Sequence, residues 1–418
     1  MTSQERTLAY MNALRQPYQK ICRLRFLQPD GSIAFSLDNS SSNPYSATFI
    51  SEGSIQCNLQ NGKRRNATVT LSNVDSRYDY NVNNLWFGTE IALDEGLILP
   101  DGSDYYIQQG VFVLETPVVT VRPTEKTVTL NLVDKWANLD GTLFGRLEGS
   151  YEVSEGTNIY APIQSLLSQD RGNGVPIDNK SPVFTEYYNN MTQTMPDGST
   201  VSMVNAPYDL RIDGDSGSIA DIVLGLAGMV NAWVGYDQTG SLRVDPSQDD
   251  ILDTDKPVLW QFSMDETTLL GAEYTVKNTE VYNDYIVVGE QLDDYSQPGG
   301  RATNYDPNSD TNVNSIGRKT IRESASGFST TTQCKDLAVW KLKRATILQR
   351  AVSISCKQIF HIYENALCTI IRTDKPGNPV ERHLITGFSR PLAGNKEMTI
   401  SAVSVNDMPI ATVSDWPT

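Results

Sequence analysis

The chain carries few residues that could do catalytic chemistry, and none stand at a spacing that builds a site alone. Histidine occurs twice, at His361 and His383. Both fall in alternating, strand-like segments with no Cys-His or Ser-His motif nearby, so each reads as a structural imidazole. Asp215-Ser216-Gly217 matches the aspartic-protease tripeptide. That chemistry needs two carboxylates sharing one proton. The other candidate, Asp140-Gly141-Thr142, is scrambled, so the first reads as a turn before a helix. Asp306-Pro-Asn308-Ser-Asp310-Thr-Asn312 offers oxygen ligands at alternate positions, as calcium loops do. An EF-hand also needs Gly at position six and Glu at twelve; here those are Thr311 and Gly317. The five cysteines (Cys22, Cys57, Cys334, Cys356 and Cys368) are scattered and odd in number. That pattern argues against both a disulfide scaffold and a zinc site. No GxGxxG, P-loop, HExxH or GxSxG is present. Asn66-Ala67-Thr68 and Asn190-Met191-Thr192 fit the glycosylation pattern, which means nothing without a secretory signal. The 50 acidic residues leave a glycosidase pair open. Tyr187, Tyr188, Tyr295 and Tyr305 could stack on sugars, but such tyrosines more often cover protein contacts. No catalytic, cofactor-binding or metal-binding residue is assigned, and the chain is expected not to be an enzyme.

The elements that would position any site are mainly β. At 418 residues the chain is long enough for two to four domains. Its 39% apolar and 20% charged residues, with 29 Gly and 20 Pro, describe a loop-rich globular protein. The net charge of −16 argues against wrapping nucleic acid, which needs basic surface. An acidic channel would still let DNA slide past without binding it. Acidic charge also simply keeps a protein soluble. Glu5, Arg6 and Arg15 interrupt any signal-peptide pattern. Asp221, Gly225, Gly228 and Asn231 break the apolar stretch from Ile219 to Val234 below the roughly 20 residues of a membrane span. The chain is therefore expected to fold in a cytoplasm and not to insert into a membrane.

The expected fold class is mainly β (α+β): two tube-type β-barrel domains, a mixed α/β middle and short helices. Residues 1–20 hold an N-terminal helix, with Ser3 as cap and Pro17 near its end. Residues 21–140 form the first barrel. Cys22, Leu24 and Phe26 alternate with Ile21, Arg23, Arg25 and Leu27. Ser54 to Leu59 pairs with Asn66 to Leu71 across Asn61-Gly62. Asp94-Glu95-Gly96 reads as a turn that ends a strand at Leu93. Residues 141–260 are mixed, with helices at Ile159–Gln169 and Ile219–Trp233, the second capped by Ser218, and then a hairpin through Val244. Residues 261–418 form the second barrel, with a long polar loop at 291–327 and a helix at 333–350.

Several stretches resemble phage baseplate hub proteins of contractile tails and the N-terminal region of tail-associated proteins. They are Ala67 to Asn73, Arg77-Tyr78-Asp79-Tyr80, Leu85-Trp86-Phe87-Gly88-Thr-Glu-Ile91 and Gln109-Gly110-Val-Phe-Val113. The helix from Ile219 with the hairpin ending at Gly240-Ser-Leu-Arg-Val244, and Asn283-Asp-Tyr-Ile-Val-Val288, are similar to later parts of that family. About 250 residues are covered, by order of elements rather than by a diagnostic motif. The resemblance implies a homotrimer whose six barrels make a pseudo-sixfold ring. That ring would join a tail tube or distal tail protein to a central spike or fibre, with tape measure protein and DNA passing through. It implies residence in the virion tail tip. No peptidase or lysozyme-like domain is expected after the second barrel. A charge placed within Ala67 to Leu71 is expected to block assembly before altering anything else. Two alternatives stand beside this reading. One is a carbohydrate- or receptor-binding tail module using loops 183–206 and 291–318; the other is a cell-wall hydrolase.

Overall fold

The computed structural model describes residues 7–39, 50–74, 76, 78–79, 89–184, 192–195, 198–202, 204–230, 232–245, 256–276, 279, 281–292, 295–325, 328–347, 350–394, 396–405 and 409–417. Arg77, Tyr80, Leu85 to Gly88, Tyr187, Tyr188 and Asn190 lie outside the described residues.

The fold is mainly β, with large antiparallel sheets and few helices. Strand β1 (Lys20–Leu27) turns Cys22, Leu24 and Phe26 into the core, as its alternation predicts. It is followed by β2 (Ile33–Asp38), β3 (Ile50–Asn58), β4 (Arg65–Ser72), β5 (Glu90–Ile98), β6 (Asp104–Leu114), β7 (Val118–Arg122) and β8 (Glu125–Asp134). These run side by side in the order β3-β4-β8-β6-β5-β1-β2, with β7 beside β8. The hairpin is the one expected: Ser54 faces Thr68 and Cys57 faces Arg65.

The C-terminal strands continue the same sheet. Leu269–Val276, Arg350–Cys356, Met398–Ser404 and Val380–Pro391 lie in that order, and Val380–Pro391 pairs with β3. Leu367–Ile371 also pairs with Val380–Pro391, and Val258–Ser263 pairs with it in parallel. Fourteen strands thus form one sheet, and no closed barrel is seen among the described residues. One core serves both parts, joining Leu24, Val69 and Phe112 to Phe262, Ile354 and Phe388. Helix α1 (Leu8–Leu14) covers this core with Tyr10, Ala13 and Leu14. Residues 1–6, with the expected cap Ser3, lie outside the described residues; Thr7 caps the described helix, which ends at Leu14, ahead of Pro17 and of β1 at Lys20.

Two smaller cores flank the sheet. In the first, helix Ile219–Met229 packs near helix Tyr160–Leu167 and the hairpin Trp233–Tyr236 with Leu242–Asp245. Ser218 caps the longer helix in a reciprocal box with Asp221. The helix stops at Met229, short of Trp233, which already belongs to the hairpin. In the second, helix Thr331–Ile347 lies on a four-stranded sheet of Asp284–Val288, Gly299–Asn304, Thr320–Ser324 and Ala411–Asp415.

The last body corrects two expectations. The stretch 291–327 is not one long loop, since it supplies two strands and the short helix Val313–Ile316. Its strands are polar because polar groups satisfy them. Buried Asp284 accepts a fork from Arg301 at 2.8 and 2.7 Å and bonds from Thr303 and Thr320 at 2.7 and 2.6 Å. Gly300 lies against the helix, where a Cβ would come 2.3 Å from the Lys335 nitrogen. The helix expected at 333–350 spans Thr331–Ile347, and Arg350 instead opens a strand held on both sides. No helix among the described residues is long and apolar enough to cross a membrane.

Candidate assembly interface

The residues singled out for chemistry are mostly tied into local structure. His361 is buried, with Nδ1 3.0 Å from the Tyr10 hydroxyl and Nε2 3.0 Å from the Leu259 carbonyl, so it pins α1 to the core. Burial lowers His383 to about 4 and keeps it neutral; its Nε2 is 3.7 Å from Glu381, beyond hydrogen-bond reach. Asp140 accepts from the Thr142 N–H in its own turn, while Asp215 sits exposed before its helix. No contact between these two carboxylates occurs among the described residues. In the calcium-like stretch, Asp306 accepts from the Asn308 and Ile410 N–H groups, Asp310 pairs with Arg350 at 2.7 Å, and Asn312 caps a helix. No group of three His, Cys, Asp or Glu suited to a metal ion occurs among the described residues. Tyr295 is exposed, and Tyr305 accepts from Arg318 at 2.6 Å. All five cysteines are buried and free.

Two features outside those candidates shape the molecule. The first is a buried ionic seam between the two parts of the large sheet. Asp94-Glu95-Gly96 is not a turn; it lies inside β5. Asp94 faces Arg23 across the β1–β5 ladder and takes Arg23 at 2.9 Å and Arg25 at 2.7 Å. Glu95 is fully buried between Lys20 and Arg390, each at 2.7 Å. Burial alone would raise the Glu95 carboxyl, but Arg390 and Lys20 outweigh it and hold it below its usual value. Arg390 also donates to the Ile359 carbonyl at 2.9 Å and to the Gln109 side chain. Gln109 in turn donates to the Phe360 carbonyl at 2.8 Å and accepts from Arg65 at 2.9 Å through its backbone. Arg65 pairs with buried Glu364, which also accepts from the Cys57 thiol at 3.2 Å.

Sequence reasoning missed this seam. The legible signal was the complementary charge of neighbouring strands, with Lys20, Arg23 and Arg25 in β1 opposite two acids in β5. At the end of β8, Asp134 accepts from the backbone N–H groups of Arg64, Arg65 and Trp136. Burial still pushes its carboxyl up to about 6.

The second feature is the pair of strands that end the sheet. Among the described residues, β2 pairs only with β1, and Leu269–Val276 pairs only with Arg350–Cys356. Directly opposite residues share a face. Leu269 faces buried Cys356, Ala272 faces buried Ile354 and Tyr274 faces buried Val352, so the apolar core face runs out through Tyr274 and Val276. Val276 is 61% exposed. At the other end Phe35 stacks on buried Phe26 with ring centres 4.3 Å apart, and Ile33 beyond it is 52% exposed. Strand β7 adds exposed Val118, Val119 and Val121 beside β8. Strand β4, where the disruptive charge was placed, is not at an edge. It lies between β3 and β8 with Ala67, Val69 and Leu71 in the core, so a charge there attacks folding first.

This fold is similar to that of several solved tail proteins. The chain aligns with a tail protein from Neisseria meningitidis MC58 at a TM-score of 0.58 and 9% identity, over 94% of this chain and 98% of that one. A 43 kDa tail protein of prophage MuSo2 from Shewanella oneidensis aligns at 0.56 and 11% identity, over 92% and 98%. A prophage tail protein from Listeria monocytogenes EGD-e aligns at 0.53 and 9% identity, over 93% and 95%. A chain of the Francisella PdpA-VgrG complex aligns at 0.52 and 9% identity, over 95% of this chain and 54% of that one. No protein-family description matches the sequence, and no curated protein matches it.

Proposed function

We propose that the chain is a structural, non-enzymatic subunit of a phage tail hub. Three copies form a pseudo-sixfold ring joining the tail tube or distal tail protein to the central spike, in the virion tail tip. The ring leaves a passage for DNA and tape measure protein. The observation that carries this reading is that, among the described residues, the main run of the large sheet ends in β2 on one side and in Leu269–Val276 on the other, each presenting exposed apolar residues. An edge of that kind is a liability unless another strand completes it. The two ends differ in sequence, so β2 of one copy meets Leu269–Val276 of the next, a head-to-tail contact that closes into a ring. The strand-rich parts 21–140 and 261–418 each bring one end to the ring, and the mixed part 141–260 sits outside it. The likeness to tail proteins in fold and near-complete coverage supports the same reading.

Val276→Lys and Ile33→Lys test it. Each adds a charge at an exposed edge position without disturbing the core. Phage carrying either variant should yield folded protein but no complete tails by electron microscopy. Normal tails from both variants would end the edge-pairing proposal.

A further inference from the structure

A cleft of about 490 Å³ separates the two flanking bodies, with helix Ile219–Met229 on one wall and helix Thr331–Ile347 on the other. We propose that this cleft binds an acidic peptide segment of a partner protein, its carboxylate gripped by Arg344.

Arg344 is half-buried and lies over two indoles, with its Cζ 4.8 Å from the Trp233 ring centre and 5.4 Å from that of Trp340. Among the described residues its guanidinium has neither a hydrogen-bond acceptor nor a paired carboxylate. The acid beside it, Glu323, is already engaged, by Lys341 at 2.8 Å and by the Tyr285 hydroxyl at 2.6 Å. A guanidinium beside two aromatic rings has less freedom to turn than one in water, and its N–H donors form a planar fork. Carboxylate is the group that matches this fork with two parallel bonds. Burial also pulls this guanidinium below its usual value, as expected for a cation awaiting a counter-charge.

A second observation comes from the facing wall. Trp233 is buried, and its indole N–H meets no acceptor. Trp233 also lines the cleft, so an unmade donor lies just beneath its surface. Small residues give the backbone room to approach, since a Cβ at Gly228 would meet nothing within 4 Å. Apolar Leu224, Phe328 and Leu337 complete the lining and favour hydrophobic residues on either side of the acid. The chain is strongly acidic overall, so an acidic partner finds its counter-charge locally, at this arginine.

The cleft lies within one copy, so the test uses the free full-length chain and is separate from ring formation. A random dodecapeptide display library would be selected on it, and the recovered peptides measured by fluorescence polarisation. The expected peptides carry Asp or Glu flanked by apolar residues. Arg344→Gln should weaken them at least about tenfold, the loss of one charge-assisted contact, and Arg344→Lys should weaken them less. Gly228→Leu fills the open space and suits a helix; it should abolish binding with thermal melting unchanged. Failure to recover peptides above background would overturn the proposal. So would peptides without acids, or peptides that bind both Arg344→Gln and Gly228→Leu as tightly as the parent chain.

Discussion

The seam inside the large sheet and the edges at its ends solve opposite problems. At the seam, Glu95, Arg390 and Lys20 are withdrawn from water, and each charge has a counter-charge within 2.7 Å. At the edges, Leu270, Val276 and Ile33 are exposed, and among the described residues no strand pairs beyond them. A buried ion pair gains little net stability over an apolar contact, but breaking one side is costly. The seam therefore helps set how the N- and C-terminal parts meet, while the edges leave apolar side chains exposed.

Five substitutions, ranked by their effect on folding, test this comparison. Val69→Asp should be the most damaging, because it places an unpaired charge in the core beneath β4. Several kcal/mol is expected by the usual cost of burying a charge, read as loss of soluble protein. Soluble, folded Val69→Asp that merely fails to assemble would contradict the position of β4 at mid-sheet. Glu95→Leu comes next. It leaves Lys20 and Arg390 buried without their anion and should cost about 3–5 kcal/mol in urea unfolding; an unchanged midpoint would mean the seam is not closed to water.

His383→Gln should act through pH. The folded imidazole titrates near 4, below its ordinary 6.5. The unfolded chain therefore binds more protons between those values. The histidine's contribution is complete above pH 6.5 and is lost as pH falls towards 4, by about 2–3 kcal/mol. Subtracting the His383→Gln stability curve from the parent curve should isolate that rise; a flat difference would show His383 open to solvent. The edge substitutions Val276→Lys and Ile33→Lys should be smallest, within about 0.5 kcal/mol for exposed positions. A large loss of stability from either would mean that the chain completes these edges itself.

Much of the fold was readable where a strand's own side chains carry the signal. The alternation of β1, the Asn61-Gly62 hairpin and the capped helix from Ile219 all appear as their residues suggest. Acids misled. Asp94-Glu95-Gly96 has turn composition, yet it lies mid-strand because cations from β1 and from Arg390, 295 residues away, neutralise it. The polar 291–327 misled for the same reason, since its strands are stabilised by Asp284 and by a helix that packs over Gly300. Arg344 was equally hidden. A lone arginine in a helix says nothing until Trp233, distant in sequence, is set beneath it.

The sequence by itself determined that this protein is built mostly of short strands and carries a net charge of −16. Local patterning suffices for that, because strand period and charge are properties of neighbouring residues. Only the tertiary structure decided that the two strand-rich parts share one sheet, which acids are buried, and which edges stay open. Those outcomes depend on pairings between residues hundreds of positions apart, such as β3 with Val380–Pro391. No local signal encodes them, since the energy of a buried charge or an exposed edge exists only once its neighbours are in place.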